Sequence, residues 1–291
     1  MALPRQFRRQ GLVLHSKPLG EADLMVTVLT SDEGKVRAVA RGARKTTSKL
    51  VGHLEPLTQV EVLLSKGNEF SYVSQAQVLE NFGFLKTDLG GVTRGLYLAE
   101  LASWYAVEEA PGASIYNLLL EALRLLPDCR NPDAVLRCFE IQLLKVSGFM
   151  PELYDCVECG EELPPRAHQF SPEAGGVVCN QCRPANVVLR PLSVDALKVL
   201  RFLSNATLAE SDRLKLEDAV ADEVSKLLSV LLSYWPDHEI RSRRFMEHVQ
   251  HSTAESQSQT YAFREEGVRQ SAVSPAVVGR SSTGSRPGGS P

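Results

Sequence analysis

The sequence predicts an α+β multidomain chain: an N-terminal OB-fold β-barrel, then a C-terminal α-helical domain with an embedded four-cysteine zinc module. Three observations predict it. Short β-rich segments punctuated by turn residues fill about the first 80 positions. From Asp88 onward apolar residues recur three and four apart, the period of a helix. Two C-x-x-C pairs then interrupt the helical pattern.

The strands come first. The segments GLVLH and LMVTVLT are β-rich, and SDEG at 31–34 is a turn signal that leads into KVRAVAR. QVEVLL (59–64) and FSYVSQAQV (70–78) flank SKGNE, a hairpin-like loop with Gly67 and Asn68. Five short strands of this kind suit a small closed barrel, with an OB-fold leading and an SH3-like barrel as the alternative. The helices follow: GLYLAELASWYAVEE, SIYNLLLEALRLL and PDAVLRCFEIQLLKVSGF, with Ser114 and Asn131-Pro132 as start signals. After the cysteines, SVDALKVLRFLS and DRLKLEDAVADEVSKLLSVLLSYW resume the pattern, and DHEIRSRRFMEHV adds a last helix. Beyond about residue 250 the chain is rich in Ser, Gln, Thr, Pro and Gly, too polar to offset its ordering entropy, so disorder is expected. The expected domains are therefore a barrel at 1–82, a helical domain at 83–250 interrupted by a zinc module at 152–185, and a disordered tail at 251–291.

The cysteine spacing is the most specific signal. Cys156, Cys159, Cys179 and Cys182 form two C-x-x-C pairs that enclose 19 residues, as in a zinc ribbon. Each pair grips one side of a metal through a tight turn, and Gly160 after the first pair relieves the steric cost of that turn. Four thiolates complete a tetrahedron with no open position for water, so a zinc ion here is structural rather than catalytic. His168, between the pairs, is expected to be a surface or loop residue. Cys129 and Cys138 lie in or beside helical patterns and read as ordinary thiols.

Charge is the second signal. The formal net charge is −3, yet Gly34 to Leu50 (GKVRAVARGARKTTSKL) carries six basic residues and no acid: Lys35, Arg37, Arg41, Arg44, Lys45 and Lys49. Residues 1–50 hold ten bases against four acids, whereas residues 206–223 hold six acids against two bases. Such polarity favours a polyanion at the basic end. If 35–41 is a strand, Lys35, Arg37, Val39 and Arg41 share one face and Val36, Ala38 and Ala40 the other. Phe70 and Tyr72 share a strand face; they could stack on bases or fill the barrel core.

Other classes lack support. There is no apolar run near the roughly 20 residues that span a bilayer, and no long apolar stretch of a secretory signal, so a cytoplasmic protein is expected. The P-loop pattern fails because Arg44 precedes Lys45 and Thr46. No G-x-S-x-G, H-E-x-x-H or G-x-G-x-x-G pattern occurs in a suitable setting, and the pairs Asp32-Glu33 and Glu108-Glu109 read as solvated turn and helix-end positions. Nothing argues for an enzyme.

Taken together, three stretches resemble the RecO family of bacterial recombination mediator proteins: GLVLHSKPLGEADLMVTVLTSDEGKVRAVARGARK, CFEIQLLKVSGFMPELYDCVECG and FSPEAGGVVCNQC. The resemblance covers roughly residues 8 to 249, with HEIRSRRFM as a weaker match to the family's final helix. It implies an OB-fold, a helical domain and a zinc module. It also implies binding of single- and double-stranded DNA, annealing of complementary strands, partnership with RecR, and help in loading RecA onto DNA coated with single-strand binding protein. It further implies contact between the helical domain and that protein's acidic C-terminal peptide; the helix residues Arg124, Arg137 and Lys145 are candidates for it and read equally well as solvated faces. The work would lie in the cytoplasm, at the nucleoid. The family's DNA-contacting charge falls on Lys35, Arg37, Arg41, Arg44 and Lys45, and Lys49 extends the strip. The four cysteines match zinc-bearing members, while some relatives lack them. An RNA-binding OB/zinc protein and an adaptor for acidic proteins are the alternatives the same surface allows.

Overall fold

Residues Thr58–Ser65 alternate buried and half-buried side chains without a break, and that alternation makes them the inward-facing wall of a barrel. Strands β1 (Gln6–Leu19), β2 (Asp23–Thr30), β3 (Gly34–Ala40), β4 (Thr58–Ser65) and β5 (Ser71–Glu80) close in the order β1-β2-β3-β5-β4. The computed structural model describes residues 6–67, 70–185 and 187–234, together with 242, 243, 245, 246 and 249. Strand β1 is long enough to pair antiparallel with β4 through its first half and with β2 through its second, bending at an irregularity between Val13 and His15. The short parallel pairing of Ala38 with Ser71 and Val39 with Tyr72 closes the cylinder. Five strands closed this way are the OB arrangement. Val13, Val26, Val28, Ala38, Ala40, Val60, Val62 and Leu64 fill the interior, and Leu54, just after the short helix α1 (Leu50–His53), joins them.

A second core lies outside the barrel. Leu12, Leu14 and Leu29 face away from the barrel interior and belong to the helical cluster, so residues 12–14 are buried on both sides. Helix α2 (Leu89–Tyr105) is capped by Asp88, whose carboxylate accepts from the Gly91 N–H at 2.7 Å. Gly95 lets α2 close on the barrel: a Cβ there would sit 2.8 Å from a Leu57 methyl. Helix α4 (Pro132–Val146) has Pro132 in its first turn and Asn131 as cap, and it is buried almost all round from Ala134 to Ile141. It is the central helix, touching α2, α3 (Ala113–Leu125), α5 (Val194–Leu203), α6 (Leu208–Ser211) and α7 (Asp218–Tyr234). Within it Glu140 is fully buried, accepting from Tyr97 Oη at 2.5 Å and pairing with Arg137 at 2.9 Å, while Arg137 also donates to Ser225 Oγ on α7 at 3.1 Å. Burial raises the Glu140 carboxyl and the Tyr97 phenol above their ordinary ranges, and Arg137 opposes both shifts.

The cysteine segment folds between α4 and α5 on a three-stranded sheet in the order β7-β6-β8, formed by β6 (His168–Ser171), β7 (Gly176–Val178) and β8 (Arg190–Leu192). Several expectations need correction. Helix α2 ends at Tyr105, not near 109, because residues 106–110 leave the helix to run against β3. Residues 212–217 precede α7 rather than open it, and the one-turn helix α6 with its Thr207–Glu210 capping box has no counterpart among the expected elements. His168 is 1% exposed on β6, not a surface histidine. Val39 is buried rather than sharing an exposed cationic face. The last helix expected over 237–249 lies mostly, and the tail 251–291 wholly, outside the described residues. Among the described residues no helix is long and apolar enough to cross a membrane.

Stability outcomes are expected at the turns and in the core. Gly34 has φ 63° and its absent Cβ would lie 2.3 Å from the Val107 carbonyl oxygen, so Gly34→Ala should cost at least about 2 kcal/mol in denaturant unfolding. Gly20, with φ 60° and nothing within 4 Å, should cost only about 1–2 kcal/mol when changed to Ala. Arg137→Ala strips a buried carboxylate of its partner and should cost about 3 kcal/mol or more, whereas the paired change Arg137→Met with Glu140→Gln should recover most of that loss.

Candidate nucleic-acid interface and metal centre

The six cations of the basic strip do not form one uniform patch. Lys35 is half-buried; its Nζ donates to the Ser103 carbonyl at 2.8 Å, and burial lowers its pKa. It braces the barrel against α2. Arg37 is exposed but held by Glu108, with Nε 2.9 Å from Oε1 and Nη2 3.3 Å from Oε2. Arg41, Arg44, Lys45 and Lys49 are exposed in the loop after β3, and among the described residues none has a carboxylate within ion-pair distance.

That loop is held in place by its backbone. Gly42, at φ 66°, donates its N–H to Asp23 Oδ1 at 2.7 Å, and the Arg44 N–H donates to the Ala22 carbonyl at 2.9 Å. The Arg44 guanidinium reaches the Gly20 and Glu21 carbonyls at 3.2 Å, while the rest of the side chain faces solvent. Arg41 lies 4.2 Å from the centroid of the Tyr72 ring, and Arg37 lies 5.6 Å from that of Phe70. Both rings are half-buried on the outside of the barrel and belong to neither core cluster. They are platforms covered by guanidinium groups.

The acids that sequence reading leaves in solvent are partners. Asp32 and Glu33 clasp Arg9 at 2.9 and 2.6 Å, which raises its pKa chiefly through the Glu33 hydrogen bond, and Glu109 lies 3.8 Å from Lys66. Of the helix cations, Arg137 is buried in the core, Lys145 donates to the Ser204 carbonyl at 2.7 Å, and Arg124 binds Glu80 at 2.7 Å. Arg137 is therefore neither a solvated side chain nor open to a peptide.

The second site is the cysteine cluster. The sulfurs of Cys156, Cys159, Cys179 and Cys182 all lie within 4.8 Å of one another, and the pairs Cys156–Cys182 and Cys159–Cys179 are each 3.9 Å apart. A disulfide needs about 2.05 Å, so none is bonded. Four sulfurs each about 2.3 Å from one ion are separated by roughly 3.8 Å, which these positions fit. Burial pushes the Cys156 thiol up, but N–H groups of Cys179, Cys159 and Glu158 outweigh it and bring it to about 6. Cys182 is pushed up to about 12 by the neighbouring thiols of Cys179 and Cys159. A cation among the sulfurs would offset the effect of the neighbouring thiols that pushes Cys182 up. The cluster could hold a metal ion, and by its chemistry that ion would be structural. Cys129 and Cys138 stand apart, both raised to about 11, first by burial.

Similarity to known proteins runs along both parts of the chain. The family described as Recombination protein O N terminal matches residues 1–82, and Recombination protein O C terminal matches residues 86–244. The DNA repair protein RecO of Roseiflexus sp. (strain RS-1) is 36% identical over 245 residues, 84% of this chain and 86% of that protein. That of Thermobifida fusca (strain YX) is 36% identical over 248 residues, 83% and 98% of the two chains. A third, from Dehalococcoides mccartyi (strain BAV1), is 35% identical over 224 residues, 77% and 88%. With both halves matched and the similarity running across barrel, helices and cysteine cluster, the chain belongs to the RecO family of DNA repair proteins.

Proposed function

We propose that this protein is a non-catalytic mediator of recombinational DNA repair that binds single- and double-stranded DNA and anneals complementary strands. With RecR it would help load RecA onto DNA coated with single-strand binding protein, in the cytoplasm at the nucleoid. One observation carries the reading. The loop after β3 presents Arg41, Arg44, Lys45 and Lys49 to solvent, with no carboxylate within ion-pair distance among the described residues, on a backbone pinned to the β1–β2 turn. Unpaired cations on a rigid support suit a phosphate backbone, which is recognised by charge and position rather than by base. Of the six strip residues, these four are assigned to direct contact; Lys35 acts as a brace.

Residues 1–82 are taken as the DNA-binding domain and 83–250 as the helical domain, which is where the acidic C-terminal peptide of single-strand binding protein would dock. Arg124 is the cation there that such a peptide could win from Glu80. The metal is proposed to be zinc, held by Cys156, Cys159, Cys179 and Cys182 and joining the two cysteine turns of residues 152–185 to each other.

Three measurements test this. The purified protein should anneal complementary strands coated with single-strand binding protein without nucleotide; failure would remove the mediator reading. Replacing Arg41, Arg44 and Lys45 by Ala should flatten the slope of log affinity against log salt by about 2, at roughly 0.7 per phosphate on a single strand, with little change in sequence preference. Metal analysis should find about one zinc per chain, and Cys159→Ser or chelation should lower the melting temperature while leaving the salt slope of the still-folded protein unchanged. A fully folded, metal-free preparation would contradict the zinc assignment.

A further inference from the structure

A groove of about 840 Å³ lies beside the strip, between the start of β1, strand β3, the β4–β5 connection and residues 108–109. Its cations are Arg9, Lys35, Arg37 and Lys66, and each is already occupied. Arg9 is clasped by Asp32 and Glu33, with only 24% of its side chain exposed. Lys35 is bound to the Ser103 carbonyl. Arg37 and Lys66 are held by the consecutive acids Glu108 and Glu109, and both of those pairs are open to water. Phe70 forms part of the wall beneath Arg37.

We propose that this groove is a second nucleic-acid subsite, closed in the free protein by Glu108, which takes one phosphate on Arg37 and one base against Phe70. The inference rests on the DNA-binding reading and deepens it. Glu108 meets Arg37 through two N–H···O contacts, the same fork that a phosphate presents to a guanidinium. With side chains 51% and 42% exposed, the pair is screened by water and weak, so a polyanion at high local concentration can replace the carboxylate. As Arg37 turns to a phosphate it uncovers the Phe70 face, and base stacking replaces the cation–π contact. The backbone of Glu108 stays bridged to Gly34 and Lys35, so only the side chain has to move.

The test is a double-substitution cycle read by equilibrium binding of single-stranded oligothymidylate across a salt series, with melting curves to confirm folding. Glu108→Gln frees Arg37 and should raise affinity about two- to fivefold. Arg37→Gln alone should flatten the salt slope by about 0.7, and in that background the gain from Glu108→Gln should vanish. No gain from Glu108→Gln overturns the subsite. So does a gain that persists in the Arg37→Gln background, since it would reflect only the removal of a distant negative charge. The Arg41, Arg44 and Lys45 variant in the same series separates the two ideas. A flattened slope there with no Glu108 effect leaves the DNA-binding reading standing without the groove, whereas a wild-type protein that does not bind the oligonucleotide overturns both.

Discussion

The architecture depends on one seam, where the segment after α2 crosses the turn between β2 and β3. The Lys35 N–H donates to the Val107 carbonyl at 3.1 Å and the Gly112 N–H to the Ser31 carbonyl at 3.1 Å. Lys35 Nζ reaches back to Ser103 in the last turn of α2. Only glycine fits at the crossing: Cβ atoms at Gly34 and Gly112 would lie 2.3 and 2.8 Å from backbone oxygens. With Leu12, Leu14 and Leu29 shared between the barrel wall and the helical core, the barrel and the helices up to Tyr234 form one compact unit.

The seam also decides which charges are available. By drawing residues 106–110 across β3 it places Glu108 against Arg37 of that strand and Glu109 near Lys66 after β4, and it spends Lys35 on the junction. In the loop after Ala40, among the described residues, the cations have no carboxylate within ion-pair distance. A strip that is uniformly basic as a sequence is thus divided in space into a braced residue, a covered residue and an open group of four. The exposed ion pairs add little stability; their consequence is for binding, since each fixes the anion a cation already holds.

How much of this was legible follows from the range of the interactions. The strand β4 shows itself in alternating apolar positions, α4 in its Asn131-Pro132 start, and the metal cluster in spacing that a tight turn enforces. These are local signals. Glu108 and Arg37 are 71 positions apart, Lys35 and Ser103 68, and Arg9 and Glu33 24, so no sequence window holds both partners. The early end of α2 is hidden for the same reason, because residues 106–110 leave the helix for pairing with a distant strand. Arg137 reads as a surface cation because its carboxylate, Glu140, gives no sign in the sequence of being wholly buried.

On the proposed reading the open loop, rather than the helical surface, meets the DNA backbone. Amine acetylation of the lysines with and without bound single-stranded DNA tests it most directly, since each lysine reports separately. Lys45 and Lys49 should react readily in the free protein and be protected by DNA, while Lys35 should react poorly in both states because its amine is bound and half-buried. Lys198 and Lys226, exposed on α5 and α7 beside Asp195 and Asp222, should react equally in both. Protection of Lys198 or Lys226 with none at Lys45 and Lys49 would place the DNA on the helices and contradict the account.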